Sequence, residues 1–129
     1  MNTVNTFDRT VSPVGWYIAS FLLRFVESER DDINDADARF LSWENTILVR
    51  ADTIKEAYDK AVLAAKKQTK PYRGGKDGIP VQWNYVGITE VLPVYEELAD
   101  GSEIVWAEHK PKKLQNLKAM TRTKAEICG

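Results

Sequence analysis

The sequence predicts one α+β domain: an antiparallel sheet of about four strands in the order β-β-α-β-β, a main helix packed on one face, and a short C-terminal helix. Three observations predict it. The length of 129 residues fits one domain. Apolar residues alternate with period two in several stretches. Between the second and third of these lies a single run with period 3.6 and signals for both helix ends.

The first thirteen residues are polar and end in Ser12-Pro13, which reads as a loosely held arm ahead of the first strand. Trp16–Glu27 follows. Tyr17, Ala19, Phe21, Leu23 and Phe25 share one side, while Trp16, Ile18, Ser20, Leu22, Arg24 and Val26 share the other. Both sides are largely apolar, so this strand is expected to be covered in part on both faces. Residues 27–39 form an acidic loop with six carboxylates by Asp37. Residues 40–51 read as the second strand, with Trp43, Asn45, Ile47, Val49 and Ala51 on one side. Glu44, Thr46, Leu48 and Arg50 on the other side expect water.

The helix is the best-marked local element. Thr53 stands three residues before Glu56, the capping-box spacing, and Asp52 adds negative charge at the positive helix end. Ile54, Ala57, Tyr58, Ala61, Val62 and Ala65 recur at three- and four-residue intervals and make an apolar stripe. Lys66, Lys67 and Lys70 suit the far end, and Pro71 stops it. At about 1.5 Å per residue the helix spans roughly 25 Å, matching a strand of seven or eight residues.

The glycines and prolines between Lys70 and Pro80 read as an irregular connection. Residues 81–95 make the third long sheet segment, bending near Gly87 or Pro93. Asp100-Gly101 is a strong turn signal, and residues 94–98 and 103–109 are expected to pair across it as a hairpin. Residues 110–129 hold six Lys or Arg and one acid. Leu114, Leu117 and Met120 suit a short helix leaning on the domain, with fraying after residue 121. The organisation is therefore an arm at 1–13, a domain at 14–109 and a basic segment at 110–129.

Several chemistries fail on supply of residues. One histidine, His109, and one cysteine, Cys128, give no zinc site of usual composition. Asp35 and Asp37 have the opening spacing of a calcium loop, but Arg39 stands where a third oxygen ligand belongs. No Gly-x-Ser-x-Gly occurs, and neither Ser102 nor Cys128 has a base held close by sequence. Gly74-Gly75-Lys76-Asp77-Gly78 lacks the Walker spacing and the helix that should follow it. Glu90, Glu96, Glu97 and Glu103 could serve a small enzyme only if one were buried. The sequence thus assigns no catalytic, cofactor or metal residue and expects no cofactor.

Trp16-Tyr17, Trp43-Glu44, the Ile47 to Ala51 run, Glu56 to Ala61, Trp83 to Ile88 and Val94 to Leu98 before Asp100-Gly101 stand in a distinctive order. In this the chain resembles a family of small bacterial proteins catalogued only as a domain of unknown function, the 4288 family, over about residues 16–109. The resemblance implies a domain extent and no activity.

Surfaces are therefore where function is expected. Net charge is −1, yet residues 1–65 carry −4 and residues 66–129 carry +3. The leading expectation is a non-enzymatic protein-interaction domain, adaptor or inhibitor-like, whose partner is a protein or a second copy in a homodimer. Its interaction residues would be Trp16, Trp43, Trp83, Tyr85 and Trp106, with Lys110, Lys112, Lys113 and Lys118. Nucleic-acid binding by the basic segment is the alternative, with the sheet aromatics as stacking surfaces. No run is long and apolar enough for a membrane span, and the single cysteine suits a reducing, cytoplasmic setting.

Overall fold

Tyr17, Ala19, Phe21 and Leu23 are all buried, and the rest of the domain is arranged to cover them. The computed structural model describes residues 8–129. The strand that carries these residues, β1 (Trp16–Glu27), lies between two neighbours. β2 (Ser42–Arg50) pairs with it on one edge and β4 (Ile79–Pro93) on the other, both antiparallel. A three-residue strand, β3 (Tyr72–Gly74), pairs with the start of β4 and completes the order β2-β1-β4-β3. With α1 (Ile54–Lys66) between β2 and β3, the chain runs β-β-α-β-β, the α+β architecture expected.

Helix α1 begins as its sequence dictates. The Thr53 hydroxyl accepts the Glu56 N–H at 3.1 Å, and the Glu56 carboxylate accepts the Asp52 N–H at 3.1 Å. Ala57, Ala61 and Ala65 are fully buried on one side of the helix. Their small side chains let the helix approach the sheet closely, so that Ala57 and Ala61 pack with Tyr17, Ala19 and Val49, and Ala65 with Phe21 and Leu23.

The apolar positions of β4 that face α1 are Trp83, Tyr85, Ile88 and Val91, spaced by two and then by three. Two bulges account for the change: the register with β1 slips between Leu22 and Leu23 and again between Ser20 and Phe21. Each inserts one residue on β4 and turns the following side chains back to the helix face. The first lies at Gly87, where a bend was expected.

The opposite face is mixed. Leu48, Ile18 and Leu92 form an apolar row across three strands, next to a polar row of Thr46, Ser20 and Glu90. Glu44, Thr46, Leu48 and Arg50 are exposed, as their pattern expects. At the far end the acidic loop folds onto this face: the Arg24 guanidinium donates to the Ile33 carbonyl at 2.7 Å, and Phe40 lies within 4.5 Å of the guanidiniums of both Arg24 and Arg30.

The hairpin expected around Asp100-Gly101 is a correction. The turn exists: Gly101 adopts φ +84°, and the Ser102 N–H donates to the Ala99 carbonyl. Its arms do not pair. The Glu96 carboxylate takes the Glu103 N–H at 2.7 Å, and Ser102 Oγ accepts the Ala99 N–H and donates to the Glu97 carbonyl. Side-chain oxygens thus occupy groups a ladder would use. The hairpin of this region is instead β3 and β4, in the stretch read as an irregular connection.

Of the expected arm, residues 1–7 lie outside the described residues. Ser12 at its end is buried and fixed: its Oγ donates to the Val94 carbonyl at 2.5 Å and accepts the Val14 and Trp16 N–H groups. Its own N–H donates to the buried Tyr17 hydroxyl at 3.1 Å. In the basic segment α2 (Leu114–Ala119) forms as expected but buries none of its residues, so it does not lean on the domain. Fraying beyond residue 121 is also corrected, because α3 (Lys124–Cys128) forms there behind a complete capping box.

Candidate functional site

The lengths of helix and sheet do not match, contrary to the sequence estimate. Thirteen helical residues span about 20 Å, whereas the twelve residues of β1 span about 40 Å. Because α1 runs from Tyr17 only as far as Leu23, the far end of its sheet face is left without a helix above it.

That end is aromatic. Leu23 sits opposite Trp43 on one side and Tyr85 on the other, Phe25 opposite Trp83, and Tyr72 opposite Val81, so all project from the helix face. Trp43 and Trp83 lie with ring centroids 4.6 Å apart at 34°, and Phe25 meets Trp83 edge-on at 5.4 Å. Trp43 remains 55% exposed and Tyr72 47%. Over Tyr85 stands the Lys66 ammonium, 5.7 Å from the ring centroid. Burial pushes the Tyr85 phenol above its ordinary value, with Tyr58 adding in the same direction. Just past the helix, Gln68 accepts from Asn45 of β2 at 3.4 Å, opposite Phe21.

The structure thus brings Trp43, Trp83 and Tyr85 together and sends the other two tryptophans elsewhere. Trp16 lies on the opposite face beneath the Arg50 guanidinium, 4.9 Å from its ring. Trp106, read from sequence as a strand residue, lies outside any strand and is 63% exposed. With Val105, Ala107 and Glu108 it forms one wall of a groove of about 420 Å³, whose other wall is Glu90, Leu92, Pro93 and Tyr95. The Tyr95 hydroxyl donates to the Arg9 carbonyl, which fixes that wall.

Lys110, Lys112, Lys113 and Lys118 are all exposed, with Lys113 at the start of α2. Around them Ile104, Val105, Leu114, Leu117, Met120 and Ile127 are exposed as well. Sequence reasoning named the lysines but not these apolar neighbours as a surface, although the Leu114, Leu117 spacing put two of them on one helix side. Phe25 and Tyr72 were also missed, because Tyr72 belongs to a strand too short to show a period.

Of the candidate carboxylates, Glu96 and Glu103 line one groove. Glu90, Glu96, Glu97 and Glu103 are exposed, and Glu96 is held by the turn. Among the described residues no group of three or more His, Cys, Asp or Glu is placed to hold a metal ion, and no helix is long and apolar enough to cross a membrane.

Comparison with known families gives one match. The family described as Domain of unknown function (DUF4288) matches residues 16–106. The chain belongs to this family. The match takes in the whole sheet, α1, the aromatic end and Trp106, and stops before Lys110 and the two short helices. No curated protein and no solved structure matches the chain.

Proposed function

We propose that this DUF4288 member is a non-enzymatic protein-interaction domain, adaptor or inhibitor-like, that engages a protein partner through residues 104–127. One observation carries the reading. This segment holds two capped or ordered short helices, yet Ile104, Val105, Trp106, Leu114, Leu117, Met120 and Ile127 are all exposed. Seven large apolar side chains along one stretch of defined backbone are what a segment laid into a partner's groove presents. The lysines interleaved with them favour an acidic rim on the partner. A second copy is one such partner, because the face opposite α1 presents the exposed Leu48 and the acidic loop, whose carboxylates complement these lysines. The exposed thiol of Cys128 suits a cytoplasmic setting.

The test uses the full chain and a variant with Leu114→Asp, Leu117→Asp and Met120→Asp. Sedimentation at tens of micromolar and affinity capture from the native cell are expected to give a stoichiometric complex, with itself or another protein, that the triple variant loses. A monomer with no stoichiometric protein partner, or a complex indifferent to the three substitutions, would sink the reading. The exposure of Lys110, Lys112, Lys113 and Lys118 also favours a second reading, nucleic-acid binding by this segment, for which reversing these four charges should abolish binding.

A further inference from the structure

The aromatic end of the sheet is a different surface from residues 104–127 and lies beyond what the protein-interaction reading uses. Its side chains come one from each strand in sheet order: Trp43 from β2, Phe25 from β1, Trp83 from β4 and Tyr72 from β3. We infer that this platform binds single-stranded nucleic acid by stacking bases on its rings and pairing phosphates with the lysines around it.

The geometry supports stacking in two ways. Trp43 and Trp83 already lie tilted against one another at 4.6 Å, which fixes the outer indole while leaving its other side half exposed. A ring held in place by a neighbour loses little freedom when a base lands on it. Next to the rings, Phe25, Tyr72, Ile79 and Val81 line a depression of about 370 Å³ with Gly75 and Lys76 at its rim, within the size range of small-ligand clefts.

Charge selects the class of ligand. Lys66 stands over Tyr85, Lys67 and Lys70 follow on the helix exit, where Gln68 meets Asn45, and Lys76 borders the depression. Glu27 and Asp77 line the same depression, while along the connection from α1 to β4, residues 66–78, five Lys or Arg stand against Asp77 alone. Beyond Glu27, the acidic loop is drawn to the opposite face at Ile33 and Phe40 by the Arg24 to Ile33 hydrogen bond and the Phe40 stack. Flat apolar rings bordered by cations match a ligand with flat apolar faces and regularly spaced negative charge, which single strands offer and duplexes hide.

The experiment is fluorescence anisotropy of labelled twelve-nucleotide oligo-dT and oligo-U with the full chain. Binding on the order of 10 µM is expected at 50 mM salt, weakening with a log–log salt slope of about −2 to −3. Trp43→Ala and, separately, Tyr72→Ala should each weaken binding about tenfold. Both side chains are half exposed, and circular dichroism checks that each variant is folded. Reversal of Lys67 and Lys70 to Glu should weaken binding to a similar degree, whereas Lys55→Glu, at the other end of α1, should leave it unchanged. The inference is overturned by absence of binding at 100 µM protein, by full binding in both aromatic variants, by equal affinity for duplex, or by loss of binding only when Lys110, Lys112 and Lys113 are reversed to Glu, which would assign it to the basic segment. None of these outcomes bears on the complex lost by the Leu114, Leu117 and Met120 variant, so the two readings fail separately.

Discussion

Helices α1 and α3 start with the same chemistry and meet opposite fates. In α1 Thr53 accepts the Glu56 N–H at 3.1 Å; in α3 Thr123 accepts the Glu126 N–H at the same distance, and Glu126 reaches back to the Thr123 N–H. Yet Ala57, Ala61 and Ala65 disappear under the sheet, whereas no residue of α3 is buried. A cap starts a helix; it does not place one. Placement requires a stripe long enough to cover apolar surface, and five residues offer little more than one turn.

The contrast can be broken at the core first. Phe21→Ala should cost about 3–5 kcal/mol in urea unfolding, because the ring is fully buried against Ala65 and Leu23. Leu117→Ala, on the exposed side, should change stability by less than about 0.5 kcal/mol. Equal effects would mean that residues 104–127 pack on the domain after all. Next, Ser12→Ala removes an oxygen that serves three backbone groups and strands the Val94 carbonyl, for an expected loss of about 2 kcal/mol by the same measurement.

The two caps themselves provide the sharper version. Thr53→Ala should lower stability by about 1 kcal/mol, while Thr123→Ala should leave the unfolding midpoint unchanged and reduce only helical ellipticity. The smallest effect concerns protons. The Asp52 N–H, and then Lys60, hold the Glu56 carboxyl below its ordinary value. Its contribution is therefore present above the unfolded carboxyl pKa and lost as pH falls through the lower, folded one. Wild type should exceed Glu56→Gln in melting temperature at pH 7, and the gap should close towards pH 3.

What the sequence made legible follows from how local each signal is. The α1 cap and its alanine stripe involve residues within a few positions of one another and were read correctly, whereas the helix ends at Lys66, ahead of the expected stop at Pro71. β1 was legible because twelve residues of two-sided apolar pattern fit little else. The length of β1 was readable, but α1 is shorter than its pattern implied, and no local signal showed that it would start over Tyr17 and leave Phe25 without a helix above it. The Asp100-Gly101 turn was also correct, while its arms were not. Val94 and Tyr95 continue the alternation of β4, but Ser12 takes the Val94 carbonyl and the chain leaves the sheet. The meeting of Trp43 with Trp83 depends on two register shifts that no local pattern displays. Tyr72 was hidden for a simpler reason: three residues among glycines and prolines look like a turn, and only the facing strand makes them an edge.

The central place of β1 also imposes an order in time. A chain growing from its N-terminus can pair β1 with β2 once residue 50 has emerged, but the other edge of β1 waits for β4. Synthesis from residue 50 to residue 93 takes roughly 2–9 s at ordinary elongation rates. Throughout that interval the strand richest in buried side chains carries an open row of backbone donors and acceptors, with α1 already available to shield one of its faces. The nascent chain is therefore most prone to mispairing after its helix is made and before its last long strand arrives.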